Sequence, residues 1–445
     1  MTAPAASLDL GLIGNGTIGA LVDADARIVW GCMPAFDGDP AFCALLSPRR
    51  EGGDWAVEVE GAVSSEQHYV GNTAVLRTVV TDAHGAQVEI VDFCPRWKQH
   101  DRFYRPVSII RRLRALSGTP RVRVLLRPLA QWGAHVPEQA WGSNHVRFAL
   151  PGVAVRLTTD APLRPLRDGT AIVLDRELNF MLHPDETMTQ PLARYCADAE
   201  QRTVEYWRDW VRSLSIPFDW QDAVIRSAIT LKLCQYDDTG GIIAAMTTSI
   251  PEAAHTARNW DYRYCWLRDS AFVVRALNRL GATRTMEEYI RYIVNLATGE
   301  NGELQPVYGI GYEAELHESE VESLRGYRGM GPVRRGNLAW VQVQHDSYGS
   351  VVLSAAQLFF DRRLARQGDA ALFERLERVG DLAMRLYDQP DAGLWEFRGI
   401  ARVHTYSAVM SWAACDRLGK IAGHLGLADL ARHWHSAADA MRERI

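Results

Sequence analysis

Up to about residue 190 the apolar positions recur with a period of two. Trp55, Val57 and Val59 alternate with polar or small residues, as do Val88 and Ile90; Val122, Val124 and Leu126 alternate with arginine or an apolar neighbour. Val146, Phe148 and Leu150, followed by Val153, Val155 and Leu157, continue the same pattern. That period places one face of a strand in a core and the other outward. Gly and Asp punctuate the gaps and no helical segment intervenes, so residues 1–190 are expected to form an antiparallel β-sandwich.

The pattern then turns helical. Residues 192–214, with Trp207 and Trp210, read as one helix that stops at Ser-Ile-Pro217, because the residue before a proline avoids helix. The stretch 191–219 is expected to be a helical linker. Beyond Trp220 the spacing predicts helices over 222–236, 270–280, 286–297, 347–366, 372–387, 405–422 and 427–442. In the sixth of these, Tyr406, Met410, Ala414, Leu418 and Ile421 fall at intervals of three or four and make one helical face. Helices in series with polar, aromatic loops between them fit stacked αα-hairpins over 220–445, with function expected in the loops.

Composition narrows the function classes. The 445 residues carry a formal charge of −5, which leaves no electrostatic footprint for nucleic acid. No apolar run is long enough to span a membrane, and the first residues lack the basic start and long apolar core of a secretory signal. The seven cysteines (Cys32, Cys43, Cys94, Cys196, Cys234, Cys265 and Cys415) are odd in number and form no Cys-x-x-Cys pair. Reduced thiols, a cytoplasmic location and no zinc site are the expectation. Gly11–Gly14 and the glycines after it spell G-x-x-G-x-G rather than G-x-G-x-x-G, without a βαβ context, so no nucleotide cofactor is expected.

Four segments carry candidate chemistry. The densest is Arg-Asn-Trp-Asp-Tyr-Arg-Tyr-Cys-Trp-Leu-Arg-Asp at 258–269, which interleaves aromatics with charge through Trp260, Asp261, Trp266, Arg268 and Asp269. Flat rings pack on the C–H faces of a pyranose, Asp accepts from its hydroxyls and Arg donates to them. The plain alternative is a structural Arg–Asp pair beside core aromatics. The second segment, Asp391-Ala-Gly-Leu-Trp-Glu, sets Trp395 beside Glu396 after a turn. An adjacent indole would desolvate that carboxyl and keep it protonated, as a general acid requires; a surface Glu near a helix start is the alternative. The third, residues 333–349, offers Trp340, Gln344 and Asp346 just before a helix, as pocket lining or as plain packing. The fourth, residues 302–331, holds Tyr308 and the acids Glu315, Glu318, Glu320 and Glu322, a pattern that also suits a solvated face. His317 and His345 stand too far from other ligand types to read as a metal site.

Together these segments resemble glycoside hydrolase family 15, the glucoamylase and bacterial trehalase-like family. The resemblance rests on the 258–269 run, on Ala-Met-Thr-Thr-Ser-Ile-Pro-Glu at 245–252, and on two N-terminal stretches, 10–22 and 28–37. It implies a β-sandwich, a helical linker and a barrel of six αα-hairpins. It also implies inverting hydrolysis of an α-glucoside with release of β-glucose. Arg268 and Asp269 match a clamp on the terminal glucose and Trp395-Glu396 matches the pair that supplies the general acid. Trp340 and residues 344–348 match a substrate-lining region, and Glu318 matches an acidic loop residue, although His317 replaces the proline usual before it.

One departure stands out. The family's general base is a late Glu, and Glu443, inside an amphipathic helix, is the only Glu after Glu396. About seven predicted helices follow Trp220, where six hairpins need twelve. The barrel is therefore expected to be partial in this chain. Truncation, completion by a partner or a second copy, and loss of hydrolysis with retained sugar binding each account for that. The functions open at this point are an exo-acting α-glucosidase whose activity depends on completing the barrel, a non-catalytic carbohydrate-binding or regulatory protein, and a different enzyme on the same scaffold that uses Glu396 as an acid without a water-activating base.

Overall fold

The computed structural model describes residues 6–47, 52–296 and 303–445. It separates into two compact units. The first runs through residue 234 and also takes in 246–263 and 319–335; the second comprises 235–245, 264–318 and 336–445.

The first unit is built on two antiparallel sheets. One has seven strands, in the order Gly11–Gly14, Gly19–Val22, Ile28–Met33, Asp54–Val59, Arg121–Arg127 and Ile172–Val173, with Asp39–Phe42 paired to Ile28–Met33. The other has eight, running Gln139–Trp141, His145–Leu150, Val153–Thr159, Leu178–Pro184, Ile109–Ser117, Gln87–Phe93, Leu76–Asp82 and Ala62–Tyr69. Their facing side chains form one core, with Trp55, Val57 and Val122 from the first sheet and Val88, Ile90, Leu113 and Phe180 from the second. Leu76–Asp82 shows the expected alternation directly, each buried residue followed by a half-buried one.

A charged pair interrupts this apolar layer. Arg111 donates to Asp92 through Nε at 2.7 Å and Nη2 at 3.0 Å, and both side chains are fully buried. The guanidinium also lies over the Trp55 ring and donates to the Trp55 and Ala26 carbonyls. These bonds oppose the desolvation of the buried pair, which still holds the Asp92 carboxyl above its usual range, and removing either partner would cost about 3–5 kcal/mol.

The division between units differs from the expected boundaries at 190 and 219. The helix Leu192–Arg212 buries Cys196, Ala199, Thr203, Trp207 and Val211 along one face. Cys196 and Ala199 pack with Val91, Phe93, Ile110 and Met181 of the eight-stranded sheet. Trp207 and Val211 pack with Leu12, Ala74, Ile229 and Leu233. An apolar stripe of this length is stable only when covered, so the segment read as a linker is part of the first unit. The next helix, Gln221–Leu233, belongs there too.

The second unit is helical. It contains Leu267–Arg279, Thr283–Leu296, Asp346–Ala355, Gln357–Phe360, Ala370–Leu386, Thr405–His424 and Ala428–Arg444. The long helix expected over 347–366 is broken, and its last part is turn and loop. Ala414, Leu418 and Ile421 are buried along Thr405–His424, whereas Tyr406 and Met410 on the same face remain partly open. Gly349 lets this helix approach Asp346–Ala355 closely, since a Cβ there would sit 2.3 Å from the Met410 carbonyl oxygen. Among the described residues no helix is long and apolar enough to cross a membrane.

Candidate active site

The site gathers in the second unit around the start of the helix Leu267–Arg279. Before it, Cys265 and Trp266 are extended and pair with Tyr308 and Val307 in a two-stranded ladder. That ladder fixes where the helix begins, and so places Arg268 and Asp269 in its first turn. Glu396 arrives from a separate turn. Its backbone is left-handed, φ 55°, a conformation that costs a non-glycine residue roughly 1–2 kcal/mol. Asp391 holds the turn in place. Its Oδ2 accepts from the His345 backbone N–H at 2.9 Å and from the Ser407 hydroxyl at 2.7 Å, while Oδ1 accepts from the Gly393 N–H at 3.2 Å.

Two donors converge on one carboxyl oxygen of Glu396. The Trp266 indole donates to Oε1 at 2.6 Å and Arg268 Nη2 donates to the same atom at 3.2 Å. Arg268 Nη1 donates to Gln344 Oε1 at 2.9 Å, and Gln344 Nε2 donates to Gln342 Oε1 at 3.0 Å. Gln342 Nε2 then reaches the Glu396 carbonyl at 3.4 Å, closing a ring of polar side chains. With both donors on Oε1, Oε2 is the oxygen open to carry a proton or meet a ligand.

Arg268 is the electrostatic centre. Besides Glu396 it lies 3.4 Å from Asp269 and 3.7 Å from Asp346. Burial pulls its pKa down, but the three carboxylates outweigh that and hold it above the ordinary guanidinium value. Asp346 is fully buried, and neither of its oxygens finds a hydrogen-bond donor among the described residues. Burial pushes its carboxyl up to about 6, with Arg268 opposing and the charges of Asp391 and Glu396 adding to the rise. Asp269 differs: its side chain is 47% exposed, against 23% for Glu396, so it is the most open carboxylate of the group. A cavity of about 600 Å³ lies against Arg268, lined among others by Phe272, Ser350, Tyr406 and Met410, but neither Asp269 nor Glu396 lines it. That volume suits a small molecule.

The expected residues are thus partly brought together. Trp266, Arg268, Asp269, Gln344, Asp346 and Glu396 form the cluster just described. Trp340 lies edge-on to His317, and its indole N–H is buried without an acceptor among the described residues. Tyr308 is buried and its hydroxyl accepts from the Gln305 backbone N–H at 2.9 Å.

Four expectations change. Trp395 does not cover Glu396 as its neighbour in sequence: it is 72% exposed, and the indole at the carboxyl is Trp266. Glu318 is not open to a ligand, because Arg398 takes both its oxygens, at 2.8 and 3.1 Å, and the Leu338 N–H also donates to it. Trp260 and Asp261 belong to the first unit. Asp261 is fully buried and accepts from Arg263 Nε at 2.9 Å and Nη2 at 2.8 Å, the structural Arg–Asp pair weighed as the alternative. Trp260 lies under the Arg334 guanidinium. Gln342, Asp391 and Arg398 are site residues that the sequence did not single out. Gln342-Val343-Gln344 carried a usable signal: Val341 and Val343 are each 57% exposed while Gln344 is buried, so the strand-like alternation is inverted, with polar residues facing in.

A helical unit that presents one carboxyl oxygen between an indole and a guanidinium, with an accessible aspartate in the same turn, has the makings of a sugar-processing site. Comparison with known proteins agrees. The Glycosyl hydrolases family 15 model matches residues 219–445, and the Trehalase-like, N-terminal model matches residues 3–147. Relatives include proteins named trehalase from Thermoplasma volcanium, 30% identical over 98% of this chain and 70% of the relative, and from Mycobacterium tuberculosis, 30% identical over 96% and 66%. The trehalase of Mycolicibacterium smegmatis is 30% identical over 98% and 69%. This chain spans about two thirds of the length of these relatives. It belongs to glycosyl hydrolases family 15 and is a glycoside hydrolase.

Proposed function

We propose that this chain is an exo-acting α-glucoside hydrolase of the trehalase type that works with inversion. The observation that carries the reading is the convergence of Trp266 and Arg268 on Oε1 of Glu396. It fixes the carboxyl in one orientation and leaves Oε2 to carry the acidic proton. In this reading Asp269 and Arg268 grip hydroxyls of the terminal glucose, with Gln344 holding Arg268 in register. Trp340 supplies an uncommitted indole donor at the edge of the same region.

The chemical step follows from those roles. Oε2 of Glu396 protonates the glycosidic oxygen as the C–O bond breaks, and the bonding pair leaves with that oxygen. Water attacks the anomeric carbon from the opposite face and gives β-glucose. A second carboxylate, ~6.5–9.5 Å from the first, takes the proton of that water in an inverting hydrolase. Asp346 is sealed from solvent and Asp269 is engaged with glucose, so the reading places this second carboxylate outside the Arg268 cluster. Trehalose is the preferred substrate on this proposal, supported by the names of the relatives.

The test is to incubate the full chain with trehalose, maltose and isomaltose and to follow glucose. Release that is fastest on trehalose and abolished by Glu396→Gln is the expected result. Sugar binding without glucose release would overturn the hydrolytic reading for this chain.

A further inference from the structure

A second concavity lies in the first unit, between the strands Trp97–Gln99 and Arg102–Tyr104 and the helix Leu192–Arg212. Its volume of about 380 Å³ is near the small end of ligand pockets, roughly 300–1,000 Å³. The two strands pair in antiparallel register, Trp97 opposite Tyr104, and stack these rings with centroids 4.3 Å apart. The helix contributes Tyr195, Asp198 and Arg202, spaced three and four residues apart and hence on one face.

The polar groups here are only partly used. The Tyr104 and Tyr195 hydroxyls share a single hydrogen bond of 2.8 Å, so whichever accepts keeps its own proton for a further acceptor. Gln99 accepts from the Trp97 indole at 3.3 Å through Oε1, which leaves its amide N–H groups uncommitted among the described residues. Arg202 sits over the Trp97 ring, 4.3 Å from its centroid, with no carboxylate within ion-pair distance among the described residues. Among the described residues Asp198 meets only Arg194, at 3.9 Å. Phenol, amide, carboxylate and guanidinium thus converge at stacked rings, and the one positive and one negative charge cancel. A phosphate or a carboxylate ligand would want a net cation, and a lipid chain would want an apolar lining. Neutral hydroxyls beside a C–H face suit this set of donors and acceptors.

We infer that the cavity framed by Trp97, Tyr104, Tyr195 and Arg202 is an accessory binding site for a neutral mono- or disaccharide. The cavity belongs to the first unit, and its ligand chemistry is argued without reference to Glu396. Arg202 and the free phenolic proton donate to sugar hydroxyls, Asp198 accepts from them, and Gln99 does either.

The experiment is amide hydrogen exchange on the full chain carrying Glu396→Gln, which keeps the sugar intact, with millimolar maltose as the probe. Slower exchange in residues 97–104 and 192–202 is expected. Arg202→Met keeps an apolar stem over Trp97 but removes the donor. It should weaken that protection roughly tenfold in maltose concentration, as loss of a charge-assisted hydrogen bond does. Gln99→Ala, at an exposed position, gives a second readout if Arg202→Met alters the fold. In the chain with native Glu396, neither substitution should change glucose release. Absence of protection in these segments, or protection that survives both substitutions, would overturn the inference.

Discussion

Glu318 and Arg398 form a two-pronged ion pair, with Arg398 Nη2 and Nη1 2.8 and 3.1 Å from Oε2 and Oε1, just two residues beyond Glu396. Glu318 is almost wholly buried and Arg398 is 41% exposed. The pair therefore ties the turn that carries Glu396 to the 336–341 region, where the Leu338 N–H also binds Glu318. On the proposed mechanism the pair positions the carboxyl. Arg398→Met is expected to lower kcat for glucose release about tenfold with little change in KM. Stability should fall by about 1–3 kcal/mol, because the buried Glu318 carboxylate loses two donors and keeps the Leu338 N–H. The reversed pair, Glu318→Arg with Arg398→Glu, should recover part of kcat. A rise in KM with kcat intact would instead assign the pair to substrate binding.

Asp346 makes stability depend on pH. Its carboxyl is raised from an ordinary 3.8 to about 6, chiefly by burial, so the folded state favours the protonated form. The unfolded chain ionises near pH 4 and the folded chain near pH 6. The fold therefore loses stability as pH rises through this window, and the deficit stays constant above it. A shift of that size corresponds to something on the order of 2–3 kcal/mol. The groups around this carboxyl are Arg268, Asp391, Glu396 and Tyr406. Asp346→Asn stays neutral throughout. Its Tm relative to the native chain should climb between pH 4 and pH 6.5 and then level off. Parallel Tm–pH curves for the two proteins would exclude Asp346 as the source.

Strands with one buried face were legible because period two records it directly: Val146 and Phe148 are buried while Arg147 and Ala149 are exposed, whereas Ile28–Met33 and Leu178–Pro184 are buried on both faces and carry no such alternation. The grouping of site residues was harder to read. The 258–269 run looks like one constellation, yet the chain passes from one unit to the other within it, after Arg263. Asp261 and Arg263 are two apart in extended chain, which puts them on one side, where they satisfy each other. Trp266, Arg268 and Asp269 instead straddle a helix start. Asp391 was read only as a turn former. Its hold on the His345 N–H and the Ser407 hydroxyl spans 46 and 16 residues, which no local pattern records. The indole beside Glu396 comes from 130 residues away, so adjacency in sequence selected Trp395 instead.

Two glycines in the helices should respond oppositely to the same change. A Cβ on Gly349 would lie 2.3 Å from the Met410 carbonyl oxygen, whereas one on Gly423 would meet nothing within 4 Å. Gly349→Ala must push apart the helices Asp346–Ala355 and Thr405–His424, at a cost of about 1–3 kcal/mol. Gly423→Ala gains helix propensity and should stabilise by up to ~1 kcal/mol. Denaturant melts of both variants measure the contrast. Equal effects of the two would mean that the close approach at Gly349 is absent in solution.

Asp269 offers the sharpest separation of recognition from structure. It shares the first turn of Leu267–Arg279 with Arg268, and its side chain is 47% exposed. Arg268 retains Glu396, Asp346 and Gln344 when Asp269 is removed. Asp269→Ala should therefore fold, with stability within about 1 kcal/mol of the native chain. If its carboxylate accepts from hydroxyls of the terminal glucose, losing those charge-assisted bonds costs about 1.5–3 kcal/mol each. On that footing kcat/KM for trehalose should drop roughly 10- to 100-fold, and the binding of glucose as product should weaken in parallel. Asp269→Asn can still accept from hydroxyls through its amide oxygen, so it should fall between the two. Equal kcat/KM for all three proteins would remove Asp269 from the glucose clamp, and a variant that unfolds would assign it to holding the helix start.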